Sequence, residues 1–187
     1  MVDDLRMASQ ELINEIQSQK TLLAAETNEL ILRVSEFRGM EVLELVAGAF
    51  RHHPVGENRT VRIAPESEDF LLASDRTLLA RVMGNLVKNA LEASDKGQTV
   101  TLGCRHNGLE AAFWCHNPKC MPREVQLQMF KRSFSTKGSG RGIGTYSVKL
   151  LTERYLKGHV SFVSSQETRT VFTVTWPLAV PSVLEPV

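Results

Sequence analysis

Four glycines fall within seven positions between Gly138 and Gly144, and a run of apolar periodicity begins immediately afterwards at Tyr146. Few folds use such a segment. Glycine takes positive φ freely and lets the backbone approach a ligand closely. The N-terminus of a following helix offers unpaired amides and the positive end of a dipole to an anion. Lys137 and Arg141 add positive charge beside those amides. This is the chemistry of a loop that closes over phosphates. Two familiar loops do not fit. A dinucleotide fingerprint needs a strand directly before its glycines and an acid about 20 positions later, whereas residues 124–133 read as a short helix or loop. A P-loop ends in Gly-Lys-Ser/Thr, and Gly144-Thr145-Tyr146 lacks the lysine. A flexible Gly/Ser linker would not alternate Gly140, Gly142 and Gly144 at a helix start.

A second motif lies upstream, in the stretch from Ser74 to Ala93. Ser74 or Asp75 can cap a helix that begins there. Leu79, Val82, Met83, Leu86, Ala90 and Ala93 recur at three- and four-residue steps and predict a buried stripe. Asn85, Asn89 and Glu92 line a neighbouring edge. Asparagine is a poor residue for a helix interior, so two of them one turn apart need a reason. Alone they would read as a solvated face. Beside a phosphate loop they read as part of a site.

Taken together, Asn85-x-x-Lys88-Asn89-Ala90-Leu91-Glu92-Ala93, Phe130-Lys131-Arg132-Ser133-Phe134-Ser135-Thr136-Lys137 and Gly140-Arg141-Gly142-Ile143-Gly144-Thr145 resemble the N-box, phenylalanine box and glycine box of the catalytic ATP-binding domain of bacterial sensor histidine kinases. That domain belongs to the superfamily shared with gyrase B, the HSP90-like chaperones and MutL. The likeness covers residues 39 to 178, with the boxes in the family's order. It implies an α/β (α+β) two-layer sandwich of the Bergerat ATP-binding type, its mixed sheet covered by helices on one face, and a mobile lid over residues 130–144.

Carried over residue by residue, the resemblance implies that Asn89 is the metal ligand, its amide oxygen binding the Mg2+ that bridges the ATP phosphates. Asn85 matches the first N-box asparagine, near the phosphates. In the ATP-hydrolysing relatives that position is a glutamate that activates water. An amide cannot act as a general base, which favours phosphoryl transfer over hydrolysis. Lys88 and Glu92 become further contacts, although Glu92 also reads as a surface carboxylate. Thr136, Lys137, Gly138, Gly140, Arg141, Gly142, Ile143, Gly144 and Thr145 become the lid's nucleotide contacts.

One box departs from the family, which carries Asp-x-Gly-x-Gly between these motifs; its aspartate accepts a hydrogen bond from the adenine amino group. Counted back from Pro122, the matching stretch is His116-Asn117-Pro118-Lys119-Cys120-Met121-Pro122. The aspartate and both glycines are gone. Ungapped counting sets His116 at the aspartate position, but Asn117 has the side-chain oxygen better suited to accept and is the expected acceptor, with Met121 also in the pocket. Losing a charged acceptor lowers base recognition by about 1.5–3 kcal/mol, tenfold or more in affinity. The plain alternative is a strand exit with Pro118 and Pro122 as breakers.

Thr99–Cys104 and Ala111–Cys115 read as strands of a hairpin across Asn107-Gly108, and His159–Val163 with Thr170–Trp176 as another around Gln166-Glu167-Thr168. Glu41–Phe50 reads as a helix, Thr60–Ile63 and Phe70–Ala73 as strands, and Tyr146–Leu156 as an amphipathic helix ended by Gly158. Ile16, Leu23, Leu30 and Phe37 repeat every seven residues, the seam of a long coiled-coil-like helix. The expected organisation is therefore a helix over residues 1–38, resembling the second helix of the kinase dimerisation hairpin, an ATP-binding domain over 39–178 and a flexible tail over 179–187.

The implied function is the ATP-binding catalytic domain of a two-component sensor histidine kinase, passing the γ-phosphate to a histidine outside this sequence. Family acceptors lie on a helix before an acid, and His52, His53, His106, His116 and His159 do not. ATP and Mg2+ are the implied cofactors. The implied partners are the acceptor-histidine segment, a response regulator and a second copy through the N-terminal helix. Two rivals share the fold: a pseudokinase, supported by the altered 116–122 box, and an anti-sigma-type serine kinase, against which the seam-bearing helix argues. A net charge of +1 without a basic aromatic patch argues against nucleic acid. Three cysteines without framework spacing suit a reducing compartment and give no metal pairing. No apolar run approaches the ~20 residues of a membrane span and no signal peptide opens the chain. The segment is expected to be cytoplasmic and to make no membrane contact itself, with sensor segments of a membrane-attached parent free to precede it.

Overall fold

The computed structural model describes residues 2–51, 53–132 and 144–178. The chain divides into two units, Met1–Leu32 and Arg33–Val187. His52, the lid positions Thr136, Lys137, Gly138, Gly140, Arg141, Gly142 and Ile143, and the tail 179–187 lie outside the described residues.

The first unit is helix α1 (Val2–Glu26), which is shorter than the heptad pattern predicts. Its end is built from Thr27 and Asn28. Thr27 Oγ1 donates back to Leu23 O at 3.1 Å, and Asn28 takes φ of 64°. The Glu29 amide then closes onto Ala24 O at 2.8 Å. A left-handed residue followed by this closure is how many helices stop, and asparagine accepts that conformation more readily than most residues. The expectation of one helix over 1–38 is thus corrected: Leu30 lies beyond α1, and Phe37 enters a strand. Of the seam, Ile16 and Leu23 remain on α1, and both are exposed, as are Leu12 and Ile13.

In the second unit, β1 (Ser35–Arg38) runs antiparallel to β3 (Leu71–Ser74), with buried Phe37 opposite buried Leu72. The other elements are α2 (Gly39–Phe50), β2 (Thr60–Ile63), α3 (Arg76–Ala93), β4 (Thr99–His106), β5 (Glu110–Asn117), the short α4 (Arg123–Gln126), α5 (Gly144–Leu150), β6 (His159–Ser165) and β7 (Arg169–Pro177). Five strands form one sheet in the order β2-β4-β5-β7-β6. The β2–β4 pair is parallel and the others antiparallel, so the sheet is mixed, as expected. Both expected hairpins form. Gly108 takes φ of 87°, and Asn107 Oδ1 accepts from the Leu109 and Glu110 amides at 3.0 and 2.7 Å.

Strand alternation decides what faces the helices. Ala111, Phe113, Cys115 and Asn117 on β5, and Thr170, Phe172, Val174 and Trp176 on β7, are buried. Phe113 stacks on Trp176 at 5.1 Å and 15°, and Phe70 meets Phe113 edge-on at 5.9 Å. Val42, Leu43 and Val46 of α2, the stripe of α3 and Val148 and Leu151 complete the core. Burial pushes the Cys104 and Cys115 thiols up to about 12. Both stay protonated at neutral pH and serve as small apolar side chains.

On α3 the predicted stripe is buried except for Ala93, which is exposed where the helix ends at Ser94. Asp75, not Ser74, is the N-cap: its Oδ1 accepts from the Leu78 amide at 2.9 Å and its Oδ2 from the Arg33 amide at 2.8 Å. The helix after the glycine loop also ends differently from expectation. It passes from α5 into a π turn, Leu151–Tyr155, and Lys157, not Gly158, takes the left-handed φ of 57°. Gly158 answers a different need: a Cβ there would lie 2.1 Å from Thr175 O.

Candidate functional site

Helix α3 carries the amide-bearing edge. Asn85, Lys88, Asn89 and Glu92 are all half-buried on it, and their three- and four-residue spacing puts them on one side. The start of α5 sits against that side. A Cβ on Gly144 would lie 3.3 Å from Asn89 Nδ2 and 3.4 Å from Asn89 Oδ1. Asn89 Nδ2 is buried without a hydrogen-bond partner. A buried donor without a partner costs about 1–3 kcal/mol and marks a place where a further group belongs. No hydrogen bond among the described residues fixes which end of that amide faces the gap. The side chain can therefore turn its oxygen outward. Thr145 follows Gly144 in the first turn of α5, both half-buried.

The end of β5 reaches the other end of α3. Ser94, which caps α3, donates its hydroxyl to Ala90 O at 2.7 Å and lies 3.4 Å from Asn117 Oδ1. Asn117 is 8% exposed and shares the parity of buried Phe113 and Cys115, so it faces the helix layer. His116 has the opposite parity, pairing with Thr101 and Val171, and its side chain leaves the other face of the sheet. The structure thus brings Asn117, and not His116, to the α3 side. Burial lowers the His116 pKa, so its imidazole is neutral at pH 7.

Where the resembled family has glycines, this chain has a braced turn. The Lys119 amide donates to Asn117 Oδ1 at 2.9 Å. Thr170 Oγ1 donates to Lys119 O at 2.7 Å, and the Met121 amide donates to Ser164 Oγ at 2.8 Å. Gln126 Nε2 closes onto Met121 O at 2.8 Å. The Lys119 ammonium pairs with Asp95 across the turn. Ser94, Ser164 and Thr170 had no signal in the sequence, because their contacts depend on strand register and on where α3 stops.

Phe130, the first residue of the phenylalanine box, takes φ of 69°. Its ring packs 5.9 Å from Phe162 and 6.2 Å from Phe172, with Lys149 Nζ 5.9 Å over it. It is an anchor at the foot of the expected lid.

A mixed sheet under one helical layer, with a glycine-led helix start set against an amide-bearing helix edge, is the architecture of an ATP-binding α/β sandwich. Residues 74–180 match the family described as Histidine kinase-, DNA gyrase B-, and HSP90-like ATPase, more than half of the chain. The chain belongs to that family. Heme sensor protein HssS of Staphylococcus aureus (strain Newman) is 25% identical over 181 residues, which is 90% of this chain and 39% of that protein. The chain therefore spans well under half the length of this relative. Full-length ShkA, solved in complex with AMPPNP, superposes with a TM-score of 0.76 at 19% identity, over 95% of this chain and 38% of ShkA. Histidine kinase ThkA, solved in complex with the response regulator protein TrrA, gives a TM-score of 0.65 at 21% identity, over 91% of this chain and 49% of ThkA. Both structural likenesses show the fold. No helix among the described residues is long and apolar enough to cross a membrane.

Proposed function

We propose that this chain is the nucleotide-binding catalytic module of a two-component sensor histidine kinase, and that it positions the γ-phosphate of a bound triphosphate for transfer to a histidine outside this sequence. The observation that carries the reading is the unpartnered amide of Asn89 against Gly144. Among the described residues, no cluster of three or more His, Cys, Asp or Glu side chains could hold a metal ion. The donors of Asn85 and Asn89 on α3 are neutral amide oxygens, which suits a hard cation that takes most of its ligands from phosphate and water. Asn89 would hold Mg2+, which when bound neutralises charge on the phosphate oxygens. Asn85, one turn earlier, is an amide and cannot take a proton from water. Water is left unactivated, and the phosphoryl group is kept for an external acceptor. Gly144 and Thr145 would offer their amides to the phosphates at the start of α5, and the expected lid contacts Thr136, Lys137, Gly138, Gly140, Arg141, Gly142 and Ile143 belong to the same proposal. In phosphoryl transfer the protein contributes chiefly by positioning and charge neutralisation, and these residue types can do both. A response regulator as downstream partner follows from the same reading.

Thermal unfolding with and without purine triphosphates and Mg2+ tests this. Ligand at about 100 times its dissociation constant adds about 2.7 kcal/mol, a shift of several degrees for a chain of this size. The shift is expected to collapse when EDTA removes the metal. No shift at millimolar nucleotide would leave a fold without the activity.

The exposed Leu12, Ile13, Ile16 and Leu23 of α1 fit a second copy of the same helix, since a seam of this kind buries its apolar residues by pairing. Sedimentation velocity is expected to find a dimer that Ile16→Lys converts to monomer. A monomer in the unsubstituted protein removes this part of the reading.

A further inference from the structure

The geometry points to Arg81 as the residue that holds the terminal phosphate of a bound triphosphate and so tells ATP from ADP. This rests on the proposed nucleotide site and adds a cation to it, on α3 one turn before Asn85.

Two arginine side chains are half-buried among the described residues, Arg59 and Arg81. Arg59 is engaged, donating to Ser94 O at 2.9 Å, Val55 O at 3.3 Å and Glu57 O at 3.2 Å. Arg81 makes no hydrogen bond or ion pair among the described residues. An exposed arginine is served by water, and one that buries only its aliphatic stem keeps its head there. Arg81 does neither. Burial lowers its pKa, so the charged group itself is desolvated, and no neighbouring carboxylate offsets that effect. A guanidinium stays protonated at any working pH. Burying it without an anion is costly, and the cost marks a place where an anion belongs.

The position on α3 says which anion. At 3.6 residues per turn, Arg81 lies about 40° from Asn85 and about 20° from Lys88 around the helix axis. At about 1.5 Å per residue it stands about 6 Å beyond Asn85 and about 12 Å beyond Asn89, toward the helix N-terminus. The start of α5 meets Asn89 at Gly144. The box expected to meet the base ends at Asn117, beside Ser94 at the C-terminal end of α3. A nucleotide with its base at that end and its inner phosphates at Asn89 runs its phosphate chain toward Arg81. Lys88, one residue from Asn89, is level with the inner phosphates. Side chains four residues apart on a helix reach one another, so the Arg81 guanidinium can come level with Asn85. Its fork matches phosphate oxygens in pairs. A diphosphate ends one phosphate earlier and leaves Arg81 as unpaired as before. The product of transfer therefore lacks a contact that the substrate had, which favours its release.

Titration calorimetry with ATP and with ADP, both in Mg2+, on the unsubstituted chain, Arg81→Ala and Arg81→Lys tests the assignment. Arg81→Ala is expected to bind ATP about tenfold or more weakly, the size of one charge-assisted hydrogen bond, and to bind ADP within about twofold of the unsubstituted chain. Arg81→Lys keeps the charge without the fork and is expected to fall between. The ATP-to-ADP ratio is read within each variant, so any loss of folded protein cancels. The ligand-free melting temperature is expected to hold, because the side chain has no protein partner to lose. Equal loss of ATP and ADP affinity, or no loss of either, overturns the inference and leaves the nucleotide site standing. A lowered ligand-free melting temperature with an unchanged ratio makes Arg81 structural and overturns it as well. Absence of binding of both nucleotides by the unsubstituted chain overturns the site itself.

Discussion

Asn89→Ala is expected to abolish Mg2+-dependent nucleotide binding while leaving the fold as stable as before or slightly more so. The two halves of that result have one origin. Asn89 sits inside α3 with its Nδ2 buried and unpartnered. Alanine removes the orphaned donor, and it is the better helix former by a few tenths of a kcal/mol. The ligand-free melting temperature should therefore hold or rise. The substitution also takes away the only oxygen that the side chain could turn toward a cation on the phosphates. Affinity should fall by about a hundredfold or more, which erases the ~2.7 kcal/mol of ligand stabilisation available at 100 times the dissociation constant. A packing residue behaves in the opposite way, losing stability first and binding second. Calorimetric titration beside a thermal scan separates the cases. Unchanged affinity in the mutant removes Asn89 from the site, and a lowered ligand-free melting temperature with intact binding makes it structural.

The legible parts of this fold were those encoded locally. Asn107-Gly108 specifies a hairpin through the backbone of two residues, and α3 announces itself through eighteen residues of period and a cap. The order of the boxes pointed to α3 and the start of α5 as the candidate site, and these are elements the sequence specifies locally. What stayed hidden depended on partners distant in sequence. The heptad through Phe37 is real as a pattern, but Thr27 and Asn28 end the helix before the pattern does, and Phe37 is buried opposite Leu72 of β3. The choice between His116 and Asn117 could not be made by counting. It needed the parity of β5 against the core, because adjacent residues on a strand face opposite ways. The orientation of the Asn117 amide lay further out of reach, since it is fixed by a turn braced from Ser164 and Thr170, more than forty residues along the chain.

Gly158 shows the same limit and carries the largest stability effect expected here. Read along the sequence, it is a helix terminator, a role that alanine would fill badly but survivably. In the fold, that role belongs to Lys157 at φ of 57°, and Gly158 lies where the chain crosses β7. A Cβ would stand 2.1 Å from Thr175 O and 2.9 Å from Trp176 Cβ. Both neighbours resist movement. Thr175 pairs with His159 and Ala112 in the sheet, and Trp176 stacks on Phe113 in the core. The Gly158 amide is also held to Thr152 O at 3.0 Å. Relief requires the β6–β7 pair to part or the π turn to lift from the sheet. Overpacking of a closed core costs typically about 1–3 kcal/mol and sometimes more; at the upper end, about 3 kcal/mol, Gly158→Ala is expected to lower the melting temperature by roughly 6–12 °C, at about 2–4 °C per kcal/mol for a chain of this length. Gly84→Ala supplies the contrast. Gly84 lies inside α3, with nothing within 4 Å of the added methyl, and alanine should stabilise it by about 0.5–1 kcal/mol. If Gly158→Ala instead melts with the unsubstituted protein, the close crossing at Thr175 is wrong, and the glycine reverts to the terminator its sequence suggests.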